Sequence, residues 1–313
     1  MKKRLLLAGL LILLLVLLGC VIRSKWNVSH EPRIFGAVYM TRNNPFFDVL
    51  HESIEEVVEG NGDILICRNP CQDQDKQNDQ ILEMIEEGIE VLFLNPVDWE
   101  KVKPALEACR EAGVVVINID TVVKDTEYVV SIVETDNYQA GVLCAEDMME
   151  RVDSAKIVVL DNPIQMSIDR RVQGFKDTIG KNENYQIVYE KIGAGEFEVS
   201  AEVMADFLNK GIEFDVVLGG NDPSALGALA ALQQKHMEGV LIYGIDGSPD
   251  FKSMLKLGSV TGTSVQSPKT IGRVAAETAY DYLGGLEVEE YISIEPYMLN
   301  QENLDEYEID SWQ

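Results

Sequence analysis

Histidine and cysteine are scarce in this chain, three and five among 313 residues. The three histidines (His30, His51 and His236) have no paired spacing and no CxxC occurs, so the sequence offers no zinc site. Basic runs are equally thin beyond the first four residues, where only Arg23, Lys25 and Arg33 lie scattered. Binding to nucleic-acid phosphates needs clustered Lys and Arg, so a DNA- or RNA-reading role is excluded as an expectation. Nucleotide, serine-hydrolase and metalloprotease signatures are missing too, with no GxxxxGK[ST], GxSxG or HExxH. Two partial motifs fall short. Gly193-Ala194-Gly195 begins a dinucleotide fingerprint, but Glu198 stands where its third glycine belongs. Asp73 to Asp79 resembles the start of a calcium loop, yet position six is Asn78 and position twelve is Met84; it reads as the solvated start of a helix. No enzyme, cofactor or metal is therefore expected.

What the chain does have begins with Met1-Lys2-Lys3-Arg4 followed by an apolar stretch from Leu5 to Gly19. A basic n-region before an apolar h-region is the order of a secretory signal, so residues 1–19 are expected to direct export. Leu17-Leu18-Gly19-Cys20 resembles a bacterial lipobox, which makes Cys20 the expected lipid anchor and 20–32 a tethered linker. With Val21 and Ile22 the apolar run reaches 18 residues, near the lower end of the roughly 17 to 25 that cross a bilayer. An uncleaved anchor helix is thus the alternative, and either one places the body outside the cytoplasm on the outer face of the membrane.

Without residues 1–19 the 26 Lys and Arg fall by three to 23 against 53 Asp and Glu, net −30. That acidity favours solubility. Roughly 280 remaining residues exceed what one hydrophobic core comfortably serves, so two domains are expected. Cys67, Cys71, Cys109 and Cys144 are an even set in an exported chain. Cys67 and Cys71 bracket Arg68-Asn69-Pro70 and are the expected disulfide, whereas Cys109 and Cys144 read as buried apolar residues.

From Ile34 onward, short β-rich apolar runs alternate with amphipathic stretches. The runs are Ile34 to Tyr39, Ile64 to Ile66, Val91 to Leu94, Val114 to Ile119, Ile157 to Leu160, Ile187 to Tyr189, Val216 to Leu218 and Val240 to Ile245. Repeated βα units predict an α/β fold with parallel sheets flanked by helices. Neither a low-complexity linker nor a short tandem repeat marks a domain boundary.

Ligands of open α/β sheets sit outside the carboxyl ends of the strands, and the residues there are unusually polar. Asn43-Asn44-Pro45, Asn95-Pro96, Asn118-Ile119-Asp120, Asn221-Asp222-Pro223, Asp246-Gly247-Ser248-Pro249 and Gln266-Ser267-Pro268 follow successive runs. Asn44, Asp222, Ser248 and Ser267 before proline are explained as helix N-caps. Asn221, Asp246, Gln266 and Asp120 are not. Convergent carboxylates and amides, each costly to bury unpaired at about 1–3 kcal/mol, point to a polyhydroxylated ligand.

The ordered set Thr41 to Phe47, Asn95-Pro96, Asp120, Asp169 to Phe175, Asn221 to Ala228, Gly244 to Gly247 and Gln266 resembles the ribose-binding and related type I periplasmic sugar-binding proteins of ATP-driven importers. The resemblance covers nearly the whole chain after residue 32 and implies two Rossmann-like lobes joined by a three-strand hinge that close on a small monosaccharide. It implies ring contacts from Phe46, Phe47 and Phe197, and hydroxyl contacts from Asn44, Asn95, Asp120, Arg171, Asn221, Asp246 and Gln266. Thr121 joins that set in a position where ribose binders carry arginine. Ile245 replaces an aromatic and Met40 a small hydroxyl residue, so a different pentose or a hexose is expected as readily as ribose. The crossings between lobes are expected near Asp136, Gln266 and Ser293, giving one lobe of 33–136 plus 267–292 and a second of 137–266 plus 293–313. A monomer is implied, with an ABC permease and its ATPase as partners. An anchored sensor that reports sugar to a kinase or chemoreceptor is the alternative. A sugar-responsive repressor is opposed by the leader and the absent DNA-binding helices.

Overall fold

In the computed structural model, residues 31–180 and 182–313 are described. The leader, Cys20 and most of the linker lie outside them. The body from Ile34 to Gln313 is a single compact unit holding two six-stranded sheets, ordered β11-β5-β4-β3-β1-β2 and β12-β10-β9-β8-β6-β7. The first sheet comprises β1 (Ile34–Val38), β2 (Ile64–Arg68), β3 (Val91–Leu94), β4 (Val115–Ile119), β5 (Ser131–Thr135) and β11 (Tyr291–Ile294), all parallel. The second comprises β6 (Ala155–Asp161), β7 (Tyr185–Ile192), β8 (Val216–Gly219), β9 (Leu241–Asp246), β10 (Gly262–Val265) and β12 (Tyr297–Asn300). Only β12 runs antiparallel, against β10.

Helices α1 (Pro45–Gly60), α2 (Gln74–Glu86), α3 (Lys103–Ala112) and α9 (Pro268–Leu283) belong with the first sheet. Helices α4 (Asn137–Arg151), α5 (Met166–Ile179), α6 (Phe197–Leu208), α7 (Asp222–Gln234) and α8 (Pro249–Lys256) belong with the second. Each sheet therefore has apolar clusters on both faces, which explains why strands such as Val91–Leu94 and Val216–Gly219 are buried throughout rather than alternating. Helix α1 shows the local logic. Asn44 Oδ1 accepts from Phe46 N at 3.0 Å, Pro45 fills the first turn, and Phe46, Phe47, Leu50, Ile54 and Val58 form the buried stripe. Burying each such side chain is worth about 1.5–3 kcal/mol.

The chain passes from the first sheet to the second between Thr135 and Asn137, returns between Val265 and Pro268, and passes over again between Ile294 and Tyr297. The third passage was expected near Ser293. That residue pairs with Glu134 inside β11, one position before the strand's last residue, Ile294. Helices α4 and α5 meet so closely that a Cβ on Gly141 would stand 1.8 Å from the Arg171 carbonyl oxygen. Glycine is required there by the approach of two backbones.

The Cys67–Cys71 disulfide is corrected by the structure, in which both thiols are free. Cys67 belongs to β2 and its sulfur accepts from Arg42 Nη1 at 3.3 Å, while Cys71 sits exposed in a left-handed conformation at φ 58°. The segment after Asp73 is likewise less solvated than expected. Asp73 caps α2 by accepting from Lys76 N, but Gln74 and Gln77 are buried and hold the loop after β3 through Asp98 N and Val97 N.

Candidate functional site

Between the two sheets, at the carboxyl ends of their strands, lies a cavity of about 660 Å³. In the first sheet the chain reverses direction around β1, and in the second around β6, so the loops after β1 and β8 open at topological switch points. Nine of the eleven residues expected to touch ligand line the cavity: Asn44, Phe46, Phe47, Asp120, Arg171, Phe197, Asn221, Asp246 and Gln266.

Asn95 and Thr121 do not. Asn95 is fully buried behind the wall, where its Oδ1 accepts from Met40 N at 3.0 Å and its Nδ2 donates to Asp120 Oδ2 at 2.9 Å. Thr121 donates to the same Asp120 oxygen at 3.1 Å and meets Ser167 Oγ at 2.8 Å. Both therefore orient Asp120 rather than face the cavity. Asp120 adopts φ 62°, a left-handed conformation that short polar side chains tolerate.

Across the cavity, Arg171 is fixed from three directions. Its Nε donates to Asn137 Oδ1 at 2.7 Å, its Nη1 donates to the Gly220 carbonyl at 3.0 Å, and Nη1 stands 3.5 Å from Asp246 Oδ1. Asp246 Oδ1 accepts from Gln266 Nε2 at 2.7 Å, which leaves Gln266 Oε1 buried without a hydrogen-bond partner. Behind Asp246, Asp222 accepts from Ser248 N at 2.7 Å and Thr263 Oγ1 at 2.8 Å.

The capping assignments at α7 exchange places. Asn221, expected as a residue without a cap role, accepts from Ser224 N at 3.0 Å as the N-cap, and its Nδ2 donates to the Gly195 carbonyl at 2.9 Å. Asp222, expected as the cap, is fully buried and ties β9 and β10 to the helix start. Ser248 does cap α8, whereas Ser267 makes no side-chain cap bond to α9.

Burial dominates the electrostatics. Desolvation raises the Asp246 carboxyl, and repulsion from Asp222 raises it further, against the pull of Arg171 and Gln266. Asp222 rises for the same first reason, opposed by the bonds from Ser248 and Thr263. Asp120 is raised by burial too, with Arg171, Thr121 and Asn95 working the other way. One guanidinium thus serves a ring of desolvated acceptors.

Aromatic walls complete the cavity. Phe46 and Phe47 are buried and meet edge to face at 5.4 Å, and Phe197 stands opposite at the start of α6, 42% exposed. Trp312, which the sequence did not single out, also lines the space and packs against Phe46 at 5.7 Å. Gln165 was missed as well; its Nε2 lies 3.0 Å from Met40 Sδ. Acceptors and a guanidinium around a small space with flat apolar walls suit a molecule with many hydroxyls and apolar CH faces.

Residues 35–287 match the family of the periplasmic binding protein domain. The ribose import binding protein of Bacillus subtilis (strain 168) is 29% identical over 260 residues, covering 82% of this chain and 84% of that protein. The D-ribose/D-allose-binding protein of Pseudomonas aeruginosa is 27% identical over 271 residues, covering 83% and 84%. Among solved structures, an ABC transporter solute-binding protein from Mycobacterium smegmatis with bound glycerol superposes with a TM-score of 0.83 at 26% identity, covering 88% of this chain and 96% of that one.

Proposed function

The chain belongs to the periplasmic binding protein domain family, and on that premise we propose that it is an extracytoplasmic solute-binding protein that captures a small monosaccharide, a pentose or a hexose, and delivers it to an ABC permease with its ATPase. The observation that carries this is the cavity itself, where Asp120, Arg171, Asp246 and the unpartnered Gln266 Oε1 converge between aromatic walls. A sugar hydroxyl donates to Gln266 Oε1 and to the carboxylates, accepts from Arg171, and leaves its CH faces for the rings. Of the departures from the ribose pattern, Met40 lines the cavity, whereas Thr121 is turned to Asp120 and Ile245 is buried in the core.

The lobes are those read from the sequence, 33–136 plus 267–292 and 137–266 plus 293–313, with Ser293 and Ile294 assigned to the first by their pairing in β11, and they close about the three connecting segments. Cys20 tethers the body to the outer face of the membrane, a reading supported by Leu17-Leu18-Gly19-Cys20 after a basic, apolar leader. The protein acts as a monomer. No observation favours the sensor over the importer, and the relatives named above are import or sugar-binding proteins.

The test is a thermal-shift panel of D-ribose, D-allose, L-arabinose, D-glucose and myo-inositol. A ligand at a hundredfold excess over Kd stabilises by about 2.7 kcal/mol, so the cognate compound raises the melting temperature plainly. Amino acids or nucleosides that raise it while every sugar and polyol fails would overturn the assignment.

A further inference from the structure

We infer that Trp312 is a wall of the ligand site, a specificity-determining aromatic brought there by a C-terminal strap that Lys252 holds; this rests on the binding role proposed above. The strap is residues 301–313, which follow the last strand. It begins on the second lobe, where Leu304 is buried among Phe207, Phe251 and Leu299, and Tyr307 stacks on Tyr297 at 4.9 Å. It ends on the first lobe, where the Trp312 ring joins the cluster of Phe46, Phe47 and Tyr39. The chain therefore passes from the second sheet's core to the first's a fourth time.

Two features make this a built arrangement. Lys252, on α8, has no exposed surface, and its ammonium donates to the carbonyl of Glu308 at 2.7 Å and to that of Ser311. An ammonium withdrawn from water needs such acceptors, and here both come from the strap beside Trp312. The ring itself is 9% exposed yet lines the cavity, edge-on to Phe46 at 76°. An indole in that place presents apolar surface to a sugar's CH face at small conformational cost. Lys252 is a positioning residue, since it lies outside the cavity lining.

Trp312→Leu keeps an apolar plug against Phe46 but removes the flat ring, and Lys252→Met frees the strap without substituting any residue of the cavity lining. In the full chain, titrated with whichever of D-ribose, D-allose, L-arabinose, D-glucose or myo-inositol stabilises it most, both variants are expected to bind about tenfold more weakly. Trp312→Leu is expected to remain folded, with the melting temperature of the sugar-free protein lowered by about the few degrees that a small cavity costs. In a Trp26→Phe, Trp99→Phe background, where Trp312 is the remaining tryptophan, the same sugar is expected to shift the emission. Wild-type affinity in Trp312→Leu, or emission indifferent to a sugar that binds, overturns the inference while the binding role stands. A wild-type chain that none of the five compounds stabilises overturns both.

Discussion

Arg170 Nη1 lies 2.7 Å from Glu134 Oε1, and this pair links the two sheets' surroundings, because Glu134 belongs to β5 of the first sheet and Arg170 to α5 beside the second. Glu134 is fully buried and also accepts from Asn137 Nδ2 at 2.9 Å and from the Tyr291 hydroxyl. Asn137 in turn accepts from Arg171. A continuous chain of hydrogen bonds therefore runs from the first connecting segment to the guanidinium in the cavity.

Glu134→Ala removes the acceptor shared by three donors. Of these, Asn137 is left without that partner where water is scarce, whereas Tyr291 and Arg170 are exposed enough to turn to solvent. Unfolding in urea is expected to show a loss of about 2–3 kcal/mol, with weaker sugar binding because Asn137 no longer holds Arg171. An unchanged denaturation midpoint would show that the cluster contributes nothing.

Arg171→Met leaves Asp246 buried without its cation. Truncating one partner of a buried charged pair costs about 2–5 kcal/mol in binding, so calorimetry is expected to show sugar affinity reduced about thirtyfold or more. Arg171→Lys is not expected to rescue it. A single ammonium cannot reach Asn137, Gly220 and Asp246 with the fork geometry that guanidinium provides.

Asp246→Asn should move stability and binding in opposite directions. The Asp246 pKa is raised in the folded protein, chiefly by desolvation. An acid of that kind contributes stability that is fully present below its unfolded pKa and is lost as pH rises through the folded one. The substitution mimics the protonated form. At pH 8 the sugar-free variant is expected to melt about 2–4 °C above wild type, the gap closing as pH falls below the ordinary carboxylate range. Sugar binding is expected to be weakened at every pH, and equal melting temperatures at pH 8 would refute the desolvation account.

Thiol labelling distinguishes the four described cysteines. Cys71 is exposed, whereas Cys67 is held by Arg42 and raised by burial, Cys109 is pushed up to about 12, and Cys144 is raised by complete burial. In the native protein Cys71 is expected to react first, and the other three only slowly. A native chain in which Cys67 and Cys71 resist labelling even in denaturant would contain the disulfide that the structure lacks.

Strands such as Val91–Leu94 and Val216–Gly219 are legible in the sequence because burial on both faces leaves continuous apolar runs. Strands β5 (Ser-Ile-Val-Glu-Thr), β10 (Gly-Thr-Ser-Val), β11 (Tyr-Ile-Ser-Ile) and β12 escape the same search, because polar or half-exposed positions break their apolar runs. In the site, residue type was readable but the direction of the side chain was not. Asn95 and Asn221 both follow strands; only Asn221 reaches the cavity, since Asn95 is drawn back by Met40 and Asp120. Trp312 carried no local signal at all. Its place depends on Lys252, sixty positions earlier, and on no periodic pattern.

The edge strands β11 and β12 carry a consequence for biogenesis. Both come from the last part of the chain, and each closes one margin of a different sheet. Domains usually fold in order as they are synthesised, the N-terminal one first. Here the N-terminal sheet lacks its sixth strand until residues 291–294 have been made, and the other sheet lacks its own until 297–300. Neither sheet can therefore complete itself before residues 291–300 are available, so the two halves finish together rather than one after the other.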